Sequence, residues 1–370
     1  MTTNAVICEL NPMHRGHKYI FDSAKGASCE DSVNIAVMSG NFTQRATPAI
    51  FDKYARAEAA VKCGADIVVE LPFPWCSSGA ESFALGGVAV AAGLGTQRLV
   101  FGSETGKLDL IGQAARIKAS DEYKNAIVKA EAEARDLGSA VIFDDVMKYF
   151  GITESLGAND KLGLEYIRFG RELGILEFCP IARIAEIKSA TDLRGKIFSE
   201  GVGSCGEFIP DAALEVFRNS AVCREEVYNQ LLFNHCRIYA NEAENDILAY
   251  ASKVAKDSAT PEEFIRKLPT KKYTTARLRR EILFSILGAE QSISRPLYTV
   301  LLGMNEKGRA YLSENKKSLR LPIITKPADD SKLSTEAKTQ YEITKKADEL
   351  YALCTGKPAS EYIKKHPHII

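Results

Sequence analysis

Short apolar runs alternate with longer stretches of helical periodicity over the first two hundred residues. Val6-Ile7-Cys8 lies in an apolar run that reads as a buried strand and breaks at Asn11-Pro12. The next helix opens on a histidine, a glycine and a second histidine. Val33 to Met38 forms a second run, ending at Ser39-Gly40. Asp52 to Cys63 has helical composition, with Gly64 as its stop. Asp66 to Leu71 is a third strand closed by Pro72, and Arg98 to Phe101 a fourth closed by Gly102-Ser103-Glu104. Lys107 to Gly138 reads as helical, Gly157 to Tyr166 opens another helix with Asn159 as its N-cap, and Phe178 to Ile184 reads as a strand. Strands separated by helices predict an α/β fold with a doubly wound parallel sheet. In such a sheet ligands gather at the carboxyl ends of the strands. The loops at Asn11-Pro12, Ser39-Gly40, Leu71-Pro72 and Gly102-Ser103 are all expected there.

Composition shifts between Glu200 and Pro210, and from about residue 211 the periodicity is helical, broken by Pro261, Pro269 and Pro296. The expected division is an α/β domain over 1–205 and a mostly α-helical domain over 206–370. A hydrophobic fraction of 45% and a charged fraction of 26% fit a chain able to bury sizeable cores. No apolar stretch reaches the roughly 18 residues of a membrane span, and no secretory pattern opens the chain. Nine scattered cysteines without a Cys-x-x-Cys pair point to reduced thiols, a cytoplasmic setting and no metal site. Net charge is zero, so a nucleic-acid partner needs a local patch.

Two of the five histidines, His14 and His17, fall in the single turn after the first strand. A helix N-terminus offers unpaired N–H groups and partial positive charge, and two imidazoles add donors suited to nucleotide phosphates. Gly16 leaves room for close approach. Ser189-Ala190-Thr191-x-x-Arg194 supplies small hydroxyls at another helix start and a guanidinium one turn later, a phosphate clamp or an ordinary solvated helix start. Arg45, Lys53 and Arg56 are placed to reach a triphosphate or to be surface charges. Glu70 and Glu104, at strand ends, suit magnesium or a substrate, and equally structural salt bridges. From Arg266 to Arg280 seven of fifteen residues are basic and none is acidic. Thr274 or Thr275 caps a helix there, Leu278 turns inward, and Lys271, Lys272, Arg277 and Arg280 form a phosphate-binding patch with Tyr273 as a stacking surface.

His14-x-Gly16-His17 after a first strand resembles the signature of the nucleotidyltransferase superfamily. Glu9-x-Asn11-Pro12-x-His14-x-Gly16-His17, Met38-Ser39-Gly40-x-Phe42-x-Gln44-Arg45, Phe101-Gly102-Ser103-Glu104, Leu162-Gly163-Leu164-Glu165-Tyr166 and Lys272-Tyr273-Thr274-x-x-Arg277 together resemble the tRNA(Met) cytidine acetate ligase family. The resemblance implies a nucleotidyltransferase-like Rossmann fold. It also implies a two-step reaction: acetate and ATP give acetyl-adenylate, and the acetyl group passes to N4 of the wobble cytidine of elongator tRNA(Met). It implies His14, His17 and Arg194 as catalytic residues. ATP contacts are implied for Ile7, Cys8, Glu9, Leu10, Asn11, Pro12, Met13, His14, Arg15, Gly16, His17, Lys18, Tyr19 and Ile20. Gly102, Asn159, Ser189, Thr191 and Arg194 complete that set, with Mg2+ on the triphosphate. The partners implied are tRNA and acetate, with no membrane and no DNA. A small-metabolite adenylyltransferase and a non-catalytic RNA-binding protein with the same fold are the competing expectations. The basic helical half argues against the first, and intact His14, His17 and Arg194 against the second.

Overall fold

The computed structural model describes residues 2–26, 32–134, 138–184, 189–238, 245–271, 273–289 and 295–370. In chain order the elements are β1 (Thr2–Cys8), α1 (Arg15–Gly26), β2 (Ser32–Ser39), α2 (Lys53–Lys62), β3 (Ile67–Leu71), α3 (Ala80–Gly93), β4 (Arg98–Ser103), α4 (Leu108–Ala119), α5 (Asp121–Glu133), α6 (Ser139–Tyr149), α7 (Ala158–Glu172), β5 (Glu177–Ala182) and α8 (Ala190–Glu200). There follow α9 (Asp211–Arg218), α10 (Glu226–Ile238), α11 (Asp246–Lys256), α12 (Pro261–Lys267), α13 (Thr275–Leu287), β6 (Thr299–Met304), α14 (Glu306–Glu314), β7 (Ile323–Ile324), α15 (Thr335–Thr355), α16 (Ser360–Ile363) and β8 (His368–Ile369). Among the described residues no helix is long and apolar enough to cross a membrane.

The sheet runs β5-β4-β1-β2-β3-β6-β7, with β8 also on β6. β1 to β5 are mutually parallel, and β6 returns antiparallel to β3. Helices cover both faces, so the central strands are buried on both sides and carry apolar residues over most of their length. Alternate positions still separate two cores. Ala5, Ile7, Ile35, Val37, Val69, Leu99 and Phe101 pack with α3, α4 and α7 on one side. Val6, Cys8, Ala36, Met38, Val68 and Val100 pack with α1, α2, α8 and α9 on the other.

Beyond residue 205 the chain is mostly helical and also completes this sheet. β6 pairs along β3, and Phe217 of α9 stacks on Phe51 at 4.3 Å. The periodicity gave no hint of β6, β7 and β8, which extend the sheet beyond β3. The stretch 107–138 is helical as expected, divided into α4 and α5 where the Ser120 hydroxyl accepts from the Tyr123 N–H and caps α5. Two other expectations need correction. Helix α7 is capped at Gly157, not Asn159. The Glu104 carboxylate reaches over from β4 to take the N–H groups of Asn159 (3.0 Å) and Asp160 (3.1 Å). The Leu71-Pro72 loop does not join the ligand cleft. α15 and α13 cover it, with the Phe73 N–H donating to Thr344 Oγ1 (3.2 Å) and the Phe73 ring edge-on to Phe284 (5.2 Å).

Lys53, offered by the sequence as a triphosphate ligand, is buried. Its ammonium donates to Glu70 Oε2 (2.8 Å) and to Asp348 Oδ2 (2.7 Å) on α15. Asn41 Nδ2 donates to the other Asp348 oxygen (2.9 Å), and the Lys53 N–H donates to Asn41 Oδ1 (2.8 Å). Glu70 is therefore a structural acid rather than a magnesium ligand. One cation faces two buried carboxylates here, and burial pushes the Glu70 carboxyl up to about 7 despite Lys53.

A carboxyl held above its ordinary 4.5 binds its proton more tightly in the folded state. Its stabilising contribution is full below that value and is lost as pH rises through about 7, amounting to ~3 kcal/mol at most. Glu70→Gln, neutral at every pH, is expected to lose less stability between pH 5 and pH 8 than the wild type. Urea denaturation of both proteins at the two pH values checks this, and parallel slopes would contradict it.

Candidate active site

The strand order reverses between β4 and β1, and the carboxyl ends of these two strands open the crevice where such sheets bind ligands. Leu10, at φ 49°, turns the chain sharply out of β1, although a bulky residue there is strained. Burial fixes it in place. Asn11 Oδ1 accepts from the Ile50 N–H (2.8 Å), tying this turn to the loop after β2. The Arg15 N–H, first in α1, donates to the Phe208 carbonyl (2.8 Å).

The rings of His14 and His17 stack, centroids 3.8 Å apart and planes 27° apart. His14 Nδ1 accepts from the Gly16 N–H (3.1 Å), and His17 Nδ1 accepts from the His14 N–H (3.3 Å). A nitrogen that accepts carries no proton, so both imidazoles hold theirs on Nε2. Burial, with Arg183 nearby, lowers His14 to about 4, and burial, with His14 alongside, holds His17 well below its ordinary range. The pair is two neutral Nε2–H donors at neutral pH.

Within 7–20 the side chains divide. Ile7, Cys8, Leu10, Asn11, Pro12 and Met13 are buried and build the turn from beneath. Glu9, His14, Gly16, His17, Lys18 and Ile20 are partly exposed, and Arg15 and Tyr19 are exposed. Lys18 pairs with Asp22 (2.7 Å), and Arg15 Nε donates to the Glu207 carbonyl (2.7 Å). Burial pushes the Cys8 thiol up to about 12, which leaves it uncharged and no nucleophile. Ile20 Cδ1 lies 3.5 Å from where a Cβ on Gly102 would stand, so the turn and the end of β4 meet. Asn159 Nδ2 donates to Glu104 Oε1 (2.8 Å), and among the described residues the Asn159 amide oxygen takes no hydrogen bond.

The second motif reaches the first. Ser189 caps α8, its hydroxyl accepting from the Asp192 N–H (3.2 Å) and donating to Asp192 Oδ2 (2.7 Å). Arg194 Nη2 donates to Thr191 Oγ1 (3.1 Å), and Arg194 Nη1 crosses to the Asn11 carbonyl (2.8 Å). Arg45 is exposed and faces Glu9 and Arg194. Arg183, which the sequence reading did not single out, stands at the end of β5. Its N–H donates to the Ser103 carbonyl (2.9 Å), and its charge reaches His14. A cation directly after the strand beside the reversal was the signal that marked it. Arg56 is not a ligand: it is wholly buried on backbone carbonyls.

In the basic segment Thr274 caps α13 and Leu278 is buried, as expected. Arg277 lies over the Tyr273 ring at 5.0 Å, and Lys271 is exposed. Lys272 lies outside the described residues. Arg280 turns inward, donating to the carbonyls of Ser77 (2.6 Å) and Gln44 (3.0 Å).

The sequence model of the HIGH Nucleotidyl Transferase family matches residues 1–366. A tRNA(Met) cytidine acetate ligase of Thermoanaerobacter sp. is 32% identical over 87% of this chain and 88% of its own. One from Pediococcus pentosaceus is 31% identical over 95% of each chain. The crystal structure of Thermotoga maritima TmcAL bound with alpha-thio ATP is 26% identical and superposes with a TM-score of 0.90 over 100% of both chains.

Long-range 1H–15N spectra of the imidazoles test the proton assignment. Between pH 6 and 8 both His14 and His17 are expected as the Nε2–H tautomer without titrating. An Nδ1–H form or an imidazolium signal for either would overturn it.

Proposed function

The chain belongs to the HIGH nucleotidyl transferase family, among its tRNA(Met) cytidine acetate ligases, and from that premise we propose how its residues carry the reaction. It is an ATP-dependent ligase that activates acetate as acetyl-adenylate and passes the acetyl group to N4 of the wobble cytidine of elongator tRNA(Met). The carrying observation is the meeting of two motifs. Arg194 reaches the Asn11 carbonyl at 2.8 Å, beside two stacked neutral imidazoles at the strand-order reversal.

ATP lies along the 7–20 turn, its adenosine toward Gly102 and the Asn159 amide oxygen, which accepts a nucleoside N–H or O–H. The triphosphate lies between His14, His17 and the Ser189–Arg194 helix start. Magnesium accompanying the nucleotide would neutralise part of the triphosphate charge beside His14, His17 and Arg194. An acetate oxygen attacks the α-phosphorus, the α–β phosphoanhydride bond breaks, and pyrophosphate leaves. No protein nucleophile is needed; positioning and charge neutralisation supply the rate. The Nε2–H groups of His14 and His17 donate to phosphate oxygens as negative charge shifts among them, and a neutral imidazole keeps that proton while it donates. Arg194, Arg45 and Arg183 balance the triphosphate charge.

We assign residues 206–370 the RNA platform, with the reaction taking place in the cytoplasm. Tyr273, held under Arg277, offers a face for an unstacked anticodon base, and Lys271 and Arg277 offer phosphate contacts. An anticodon loop already presents its bases unpaired, so bringing the cytidine to the adenylate costs little compared with extraction from a duplex.

His17→Ala is expected to lower acetate-dependent ATP–pyrophosphate exchange about 100- to 1000-fold with little change in thermal unfolding. Unaltered exchange removes His17 from the mechanism. Lys271→Ala with Arg277→Ala is expected to weaken tRNA binding and to flatten its salt dependence, by roughly 0.7–0.9 in log–log slope for each lost phosphate contact. Titrations across a salt series check this, and an unchanged slope makes the segment a solvated face.

A further inference from the structure

Acetyl transfer has a requirement that adenylate formation lacks. The N4 amine loses a proton as it becomes an amide nitrogen, so the transfer step needs a base. Four acids are to be weighed: Glu9 and Glu104 directly after β1 and β4, Glu70 within β3, and Asp160 in the first turn of α7. Both oxygens of Glu70 hold Lys53, both of Glu104 cap α7, and both of Asp160 are engaged at Ser103, Thr105 and Gly157. Glu9 differs. Its Oε1 accepts from the Gln44 N–H at 2.6 Å, and among the described residues its Oε2 takes no hydrogen bond. It is partly exposed, five residues before His14 in the same turn.

Glu9 also stands where the two halves of the reaction meet. The Gln44 backbone that donates to it accepts, through its carbonyl, from Arg280 of α13 (3.0 Å). Arg280 is fixed at its other edge by the Ser77 carbonyl (2.6 Å). Arg277 and Tyr273, where RNA is expected, lie on the same helix or just ahead of its first turn. The backbone of one residue, Gln44, thus links the carboxylate in the ATP turn to the basic helix, through its N–H on one side and its carbonyl on the other.

We propose that Glu9 is the general base of the transfer step, and that Arg280 is a positioning residue that aims it through the Gln44 backbone rather than a phosphate contact. The inference rests on the acetyl-transfer reading above. The N4 lone pair attacks the acetyl carbonyl carbon, and the carbonyl-to-phosphate C–O bond breaks with its electron pair leaving on AMP. The N4 proton passes to Glu9 Oε2 and then to solvent. Arg45, Arg56 and Arg194 face Glu9 as cations, and the neutral Cys8 and Cys76 thiols and Tyr166 hydroxyl adjoin it. Burial outweighs those cations and raises its carboxyl above the ordinary range, while the Gln44 N–H opposes that rise. A base in this setting works better as pH rises through its pKa.

The test is single-turnover transfer from preformed acetyl-adenylate to tRNA(Met), followed against pH. Wild-type enzyme that transfers nothing overturns the underlying reading. With wild-type transfer in hand, Glu9→Gln is expected to lower the rate about 100-fold or more and to abolish the acid limb of the profile. Glu9→Asp retains a limb and loses less. Arg280→Ala, which frees the Gln44 backbone, moves the limb to higher pH, and Arg280→Lys moves it less. A Glu9→Gln profile with the wild-type limb overturns the base. An Arg280→Ala limb that stays in place while tRNA affinity falls returns Arg280 to phosphate binding.

Discussion

Four carbonyl oxygens from three separate stretches of chain converge on the guanidinium of Arg56. Nε donates to Phe51 (2.9 Å), Nη1 to Glu9 (2.6 Å) and Ser39 (3.1 Å), and Nη2 to Gly40. The side chain is 0% exposed. A buried charge without partners would cost several kcal/mol, and the carbonyl dipoles offset that cost. The geometry belongs to arginine, because a lysine ammonium cannot span so many divergent acceptors. What it secures is the relative position of the ends of β1 and β2. The sharp turn at Leu10, the stacked histidines and the Gln44 peptide are all built outward from there.

The helical half completes that framework. The Tyr228 hydroxyl on α10 donates to the Ala46 carbonyl (2.6 Å), and the Tyr351 hydroxyl on α15 donates to the Ala49 carbonyl (2.9 Å). With Arg280 on Gln44, three helices hold one loop by its backbone. A loop rich in buried carbonyls must find donors somewhere. Here they come from the segment that also carries the basic patch, so the presumed division of labour between halves is bridged by shared hydrogen bonds.

Much of this was legible in the sequence. The apolar runs gave β1 to β5 within a few residues, and Asp52 and Thr274 mark real helix starts. The His14–His17 turn and the Arg194 motif were readable because their chemistry is local: the spacing alone puts the groups on one turn. Lys53 and Arg56 were misread for the opposite reason. On α2 they look like any surface cations, and only tertiary contacts with Glu70, Asp348 and the strand ends reveal them as buried. Glu104 as the cap of α7 and β6 beside β3 are likewise contacts between distant segments, invisible to periodicity.

The triad of Lys53, Glu70 and Asp348 spans 295 residues of chain between its lysine and its aspartate. On a ribosome adding about 5–20 residues per second, the partner of Lys53 follows it by roughly 15–60 s. Over that stretch of chain Lys53 has Glu70 but not yet Asp348 to pair with, and the side of β3 away from β2 has no strand until β6 is made. Synthesis of α15 therefore adds the second carboxylate to the Lys53–Glu70 pair after β6 has been made, so the buried charge cluster behind β3 is complete only when the helical half has been made.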